Sequence, residues 1–174
     1  MIYIDIDGVL ADTDDFIFSK DPRAKEDTHI LFKTIYKNYK EMFTTSKPLI
    51  DLTCLKEIEN FTLLTALPLR QKIDSFCHDN KELETIMNTL SKNKEIWIKN
   101  NIGEDCKYII VGKRSDKIKM CNSSSDVLID DSISTCAAWR KKGGKAYTSL
   151  QEFFDNKNNV NNSSTTDFDK ESLW

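Results

Sequence analysis

The chain has 174 residues and a formal net charge of −3, with 39% hydrophobic and 30% charged residues, five Gly and three Pro. Such a composition suits one compact domain with a genuine core and excludes collagen-like and wholly disordered classes. The mildly acidic balance argues against an extended nucleic-acid surface, and no run approaches the roughly 18 consecutive apolar residues of a membrane-spanning helix.

Ile2, Tyr3, Ile4 and Ile6 form a short apolar run broken by Asp5 and Asp7 and ended by Gly8, the pattern of a strand with acids where it stops. From Thr13 to about Asn60 the character changes. Ile30, Leu31, Ile35, Tyr36, Tyr39, Met42 and Phe43 recur at helical spacing behind a cap from Asp27 or Thr28. After Ser46-Lys47-Pro48, the residues Leu52, Leu55 and Ile58 mark a second, shorter helix. This helical stretch is long for a βα connection and reads as a small lid. Phe61–Leu64, Tyr108–Val111, Val127–Ile129 and Ala146-Tyr147 are further strands. Leu83 to Leu90, Ile96 to Ile102, Cys136 to Trp139 and Leu150 to Phe154 carry helical faces between or after them.

Strands alternating with helices predict a three-layer α/β fold with a Rossmann-like parallel sheet. The expected division is a core of residues 1–12 and 61–155, a helical insertion over 13–60, and a disordered tail over 156–174 that is rich in Asn, Ser and Thr. The opening MIYIDIDG lacks the charged and apolar regions of a signal peptide. Five cysteines without a CxxC, and two His of which neither lies close to a Cys pair that could hold zinc, read as reduced thiols, so a cytoplasmic location is expected.

Ligands of open parallel sheets bind at the carboxyl ends of strands. There Asp5 and Asp7 close the first strand and Asp130 and Asp131 close Val127–Ile129. Each pair alone is ordinary turn chemistry. Together, four carboxylates would repel strongly without a cation, and an oxygen-only ligand set suits Mg²⁺. Thr65 and the N–H of Ala66, at another strand end, suit phosphate oxygens. Lys117, after the Tyr108–Val111 strand, could neutralise an anion.

Asp5-Ile6-Asp7-Gly8-Val9-Leu10-Ala11-Asp12 resembles the first motif of haloacid dehalogenase (HAD) superfamily phosphatases, Leu64-Thr65 the second, and Leu128-Ile129-Asp130-Asp131 the fourth. Ser115-Asp116-Lys117 and Lys94-Glu95-Ile96-Trp97 are similar to the 5′(3′)-deoxyribonucleotidase branch, and the resemblance covers about residues 1–150 in the family's order. It implies a small C1-type cap after the first strand and Mg²⁺-dependent hydrolysis of a small phosphomonoester, with a nucleoside or deoxynucleoside monophosphate as substrate. Asp5 would be the nucleophile and Asp7 the general acid and base. The ion would be held by Asp5, the Asp7 backbone carbonyl and Asp130 or Asp131. Phosphate would be gripped by Thr65, Ala66 and a lysine, for which Lys94 and Lys117 both match.

Two departures bear on base recognition. Thr13 stands where the branch carries a stacking aromatic, and Thr65-Ala66-Leu67-Pro68 replaces its Thr-Ser-Pro. Phe16, Phe18, Phe32, Tyr36 and Phe43 could line a substrate pocket, although the same spacing suits a core. Other readings stay open. They are a different small phosphometabolite, a nucleic-acid phosphate end approached through Arg140, Lys141, Lys142 and Lys145, or a HAD-fold binding module without turnover. The basic patch reads more simply as a solvated helix end at the negative pole of the helix dipole. A homodimer is compatible with all of these readings.

Overall fold

The structure, a computed structural model, describes residues 1–164. Five strands, β1 (Ile2–Ile4), β2 (Phe61–Ala66), β3 (Tyr108–Val111), β4 (Val127–Ile129) and β5 (Lys145–Tyr147), form one sheet in the order β3-β2-β1-β4-β5 with every pairing parallel. The architecture is therefore α/β and Rossmann-like. The chain winds outward from β1 to β3, then crosses back to β4 on the other side of β1. That reversal opens a crevice beyond the carboxyl ends of β1 and β4.

Side chains alternate between the two faces of a strand, and here the alternation separates two cores. Ile4 and its register partners on either side, Leu63 and Ile129, join a larger cluster with Leu83, Ile86, Leu90 and Trp97. Leu64, Leu128 and Ala146 face the other way, onto Cys136 and Trp139, with Tyr3 packed against them. A sheet covered on both faces explains the nearly continuous apolar runs of the strands.

The helices are α1 (Thr13–Lys20), α2 (Thr28–Asn38), α3 (Arg70–Asp74), α4 (Asn80–Asn101), α5 (Ile133–Lys141) and α6 (Leu150–Ser164), with short 3-10 turns at Pro22–Lys25, Leu52–Glu57 and Arg114–Met120. Asp12, Asp27, Asp79 and Ser132 cap α1, α2, α4 and α5 through their side chains. Several boundaries differ from the sequence reading. The face running from Ile30 to Phe43 is helical only to Asn38; turns follow, and Phe43 takes φ +70°, outside the helical region. The second helix of that stretch is a 3-10 turn. Leu83–Leu90 and Ile96–Ile102 lie on one helix, α4. The chain expected to lose order at 156 remains helical through Ser164: α6 starts with Ser149 Oγ accepting from the Glu152 N–H while the Glu152 carboxylate accepts from the Thr148 N–H. The rest of the expected tail, 165–174, lies outside the described residues. Among the described residues, no helix is long and apolar enough to cross a membrane.

The turn into β5 demands a glycine. A Cβ on Gly144 would stand 2.3 Å from Trp139 Nε1 and 2.7 Å from Cys121 Sγ, both in the second core. Gly144→Ala is expected to cost about 2 kcal/mol through overpacking. Chemical denaturation checks this, and a wild-type midpoint would contradict it.

Candidate functional site

The register that pairs Ile4 with Ile129 makes Asp5 and Asp130 the next residues on adjacent strands. Backbone bonding carries this alignment past the strand ends: the Asp5 N–H donates to the Ile129 carbonyl at 2.8 Å and the Asp130 N–H to the Tyr147 carbonyl at 3.0 Å. Both carboxylates are buried, and each accepts one backbone N–H nearby, Asp5 from Ile6 at 2.8 Å and Asp130 from Ser132 at 2.9 Å.

Lys117 comes from the 3-10 turn after β3 and is 1% exposed. Its ammonium lies 2.6 Å from Asp5 Oδ2 and 2.7 Å from Asp130 Oδ2. Burial disfavours that charge, but the two carboxylates outweigh it and hold the ammonium above its ordinary pKa.

Asp131 completes a group. Carboxylate oxygens of Asp5, Asp130 and Asp131 all lie within 4.8 Å of one another. Desolvation, followed by the charges of Asp5 and Asp130, pushes the Asp131 carboxyl up to about 6, against Arg114 and Lys117. Gly8 makes this approach possible. It has φ +73°, and a Cβ there would fall 2.3 Å from Asp131 Oδ2.

Asp7 is turned away from that group. Its Oδ2 accepts from the ammonium of Lys94, a fully buried α4 residue, and from Thr65 Oγ1 at 3.3 Å, while Lys94 also donates to Thr65 Oγ1 at 2.7 Å. Asp7 Oδ1 is shielded from solvent and has no hydrogen-bond partner among the described residues. The two lysines that the sequence left as alternatives thus serve different acids.

A cavity of about 390 Å³, within the usual range of roughly 300–1,000 Å³ for small-ligand sites, opens over this floor. Asp5, Asp7, Lys117, Asp131 and Ala66 line it; Thr65 and Lys94, expected at the phosphate, lie behind Asp7 instead, their polar groups engaged with its carboxylate and with each other. The opposite wall comes from residues between β1 and β2, among them Thr13, Ile17, Leu31, Ile35 and Met42. Of the five aromatics considered for a pocket, Phe32 and Phe43 line it. Phe16, Phe18 and Tyr36 pack against the core, and the Tyr36 hydroxyl donates to Glu82 at 2.9 Å.

Arg114 and Asp14 also line the cavity and were not singled out by sequence reasoning. The only cue to Arg114 was its place three residues before Lys117. Asp14 has a raised pKa through desolvation, Asp12 and Asp7, opposed by Arg114. In the basic patch, Arg140 donates to the Ala146 carbonyl at 3.1 and 2.6 Å and Lys142 to that of Ile118 at 2.9 Å, so these two cations hold the chain around α5.

The donor chemistry of Asp5, Asp130 and Asp131 is compatible with a hard divalent cation. It is all oxygen, and three carboxylates against one ammonium leave a formal charge of −2 when ionised. Asp7 contributes no side-chain oxygen to that group. No family model, no curated protein and no solved structure matches the chain.

The Asp131 shift sets a pH signature. A carboxyl raised from 3.8 to about 6 in the folded state binds more protons folded than unfolded, so its contribution to stability is present below about pH 4 and lost as pH rises to about 6. Metal-free Asp131→Asn should therefore melt above wild type at pH 7, and the gap should narrow toward pH 4.5. If these carboxylates hold a divalent cation, added Mg²⁺ should favour wild type. Melting curves in chelator and in Mg²⁺ at both pH values measure this; a gap independent of pH would refute the stated cause.

Proposed function

We propose that this chain is a Mg²⁺-dependent phosphomonoesterase of the HAD type, acting through an aspartyl-phosphate on Asp5, with residues 13–60 as a small cap. The observation that carries the reading is the convergence of Asp5, Asp130, Asp131 and Lys117 beneath a cavity at the sheet's reversal point, with Asp7 two residues on but differently partnered. A site built only to bind an anion has no use for so many carboxylates.

Asp5 attacks phosphorus in line: an O–P bond forms to its carboxylate as the ester O–P bond breaks, and Asp7 gives its proton to the departing alkoxide. Asp7 then takes a proton from the water that attacks the acyl phosphate, which frees inorganic phosphate and restores Asp5. Lys117 orients Asp5 from its own side and, with Arg114 at the cavity wall, faces the phosphate's charge. A divalent cation held by Asp5, Asp130 and Asp131 would offset the repulsion between nucleophile and phosphate. Lys94 and Thr65 hold Asp7 at Oδ2 and so fix the orientation of the carboxylate that moves the proton.

The apolar wall of Ile17, Leu31, Phe32, Ile35 and Met42 suits a flat, weakly polar leaving group, and the substrate class we favour is a nucleoside or deoxynucleoside monophosphate.

A panel of nucleoside monophosphates and sugar phosphates, assayed for phosphate release with Mg²⁺ and with chelator, tests the reading. Turnover should need the ion. It should fall by about a thousandfold or more in Asp5→Asn, and by several orders of magnitude in Asp7→Asn, which removes proton transfer. Absence of turnover across the panel, with Mg²⁺ bound, would make this a binding module instead.

A further inference from the structure

One face of α4 grips the chain that follows α2. Asn93 Nδ2 donates to the carbonyls of Tyr39 at 3.0 Å, Lys40 at 3.1 Å and Met42 at 3.1 Å. One turn on, Trp97 Nε1 donates to the Ser46 carbonyl at 2.8 Å. These anchors bracket Phe43, which is buried and has φ +70°, a conformation that a bulky side chain keeps only where its surroundings impose it. Its ring lies against Lys94, the α4 residue between the two anchors, with Nζ 4.1 Å from the ring centroid. Lys94 has no solvent exposure, so the ring face stands where water would otherwise solvate the ammonium. The same ammonium holds Asp7 Oδ2 and Thr65 Oγ1.

We infer that Phe43 is a positioning residue for proton transfer: its ring, on a backbone that Asn93 and Trp97 anchor on either side, seats the Lys94 ammonium, which holds Asp7 by Oδ2 and so fixes the orientation of the proton donor. The consequence for catalysis rests on the phosphomonoesterase reading; the seat itself does not. Docking of residues 39–46 on α4 and orientation of Asp7 are then a single event. The wall that covers the substrate is the wall that readies the proton donor.

Phenylalanines with one, two and three ring fluorines at position 43 keep the shape while weakening the negative ring face step by step. In the full chain the melting temperature should fall along the series, and the fall should vanish in a Lys94→Met background. Single-turnover rates with Mg²⁺ should drop about tenfold at three fluorines for phenyl phosphate, whose leaving group needs a proton. For dinitrophenyl phosphate, whose leaving group does not, the change should stay under about threefold. Equal melting slopes in both backgrounds would overturn the seat, and equal rate losses on both esters would overturn the positioning role. A wild-type chain inert toward both esters would overturn the phosphomonoesterase reading, and the role with it, whatever the melting series shows.

Discussion

Parallel pairing of β1 with β4 governs the site. Once Ile4 lies beside Ile129, the two strands release their acids at the same height. At a separation of about 5 Å and an effective dielectric constant of about 20, two such charges repel by about 3 kcal/mol, a sizeable share of a domain's net stability of about 5–15 kcal/mol. A buried ammonium between Asp5 and Asp130 relieves that repulsion, and Lys117 supplies it. Among the described residues the third carboxylate, Asp131, forms no ion pair, and desolvation, followed by the charges of Asp5 and Asp130, raises its pKa.

The second ion pair follows a different logic. Asp7 has left the strand and shares its ammonium with a buried hydroxyl and an aromatic face. Lys94 is enclosed by these groups, so it is a fixed part of the packing and not a mobile surface cation. Two acids two residues apart thereby occupy distinct environments: one lies in a cluster of charge, the other is held at Oδ2 by a buried ammonium and a hydroxyl. Separate environments for neighbouring carboxylates are what the proposed mechanism needs, with one as nucleophile and the other carrying a proton.

The residues between β1 and β2 do more than cover the crevice. Their last segment is tied to α4 through Asn93 and Trp97, and α4 belongs to the packing that covers the sheet. The apolar cavity wall and the polar floor are therefore linked through one helix, and Phe43 touches both.

Strand identity, the parallel α/β class, the carboxylate-tipped strand ends and most helix faces were legible in the residues alone, because alternation, helical period and capping are local properties of the chain. Asp27 and the run Ile30–Ile35 announce α2, and Val127–Ile129 announces β4 and the acids after it. Local pattern could not decide which lysine serves which acid, since Lys94 and Lys117 both follow the first strand at long range. Only the sheet order and the crossing of α4 bring one to Asp7 and the other between Asp5 and Asp130. Nor could it place Arg114 at the cavity or Phe43 in a left-handed conformation, because that conformation is imposed by contacts with α4, not by the neighbours of Phe43 in sequence. Composition and periodicity determined what the elements are; long-range packing decided which charges meet.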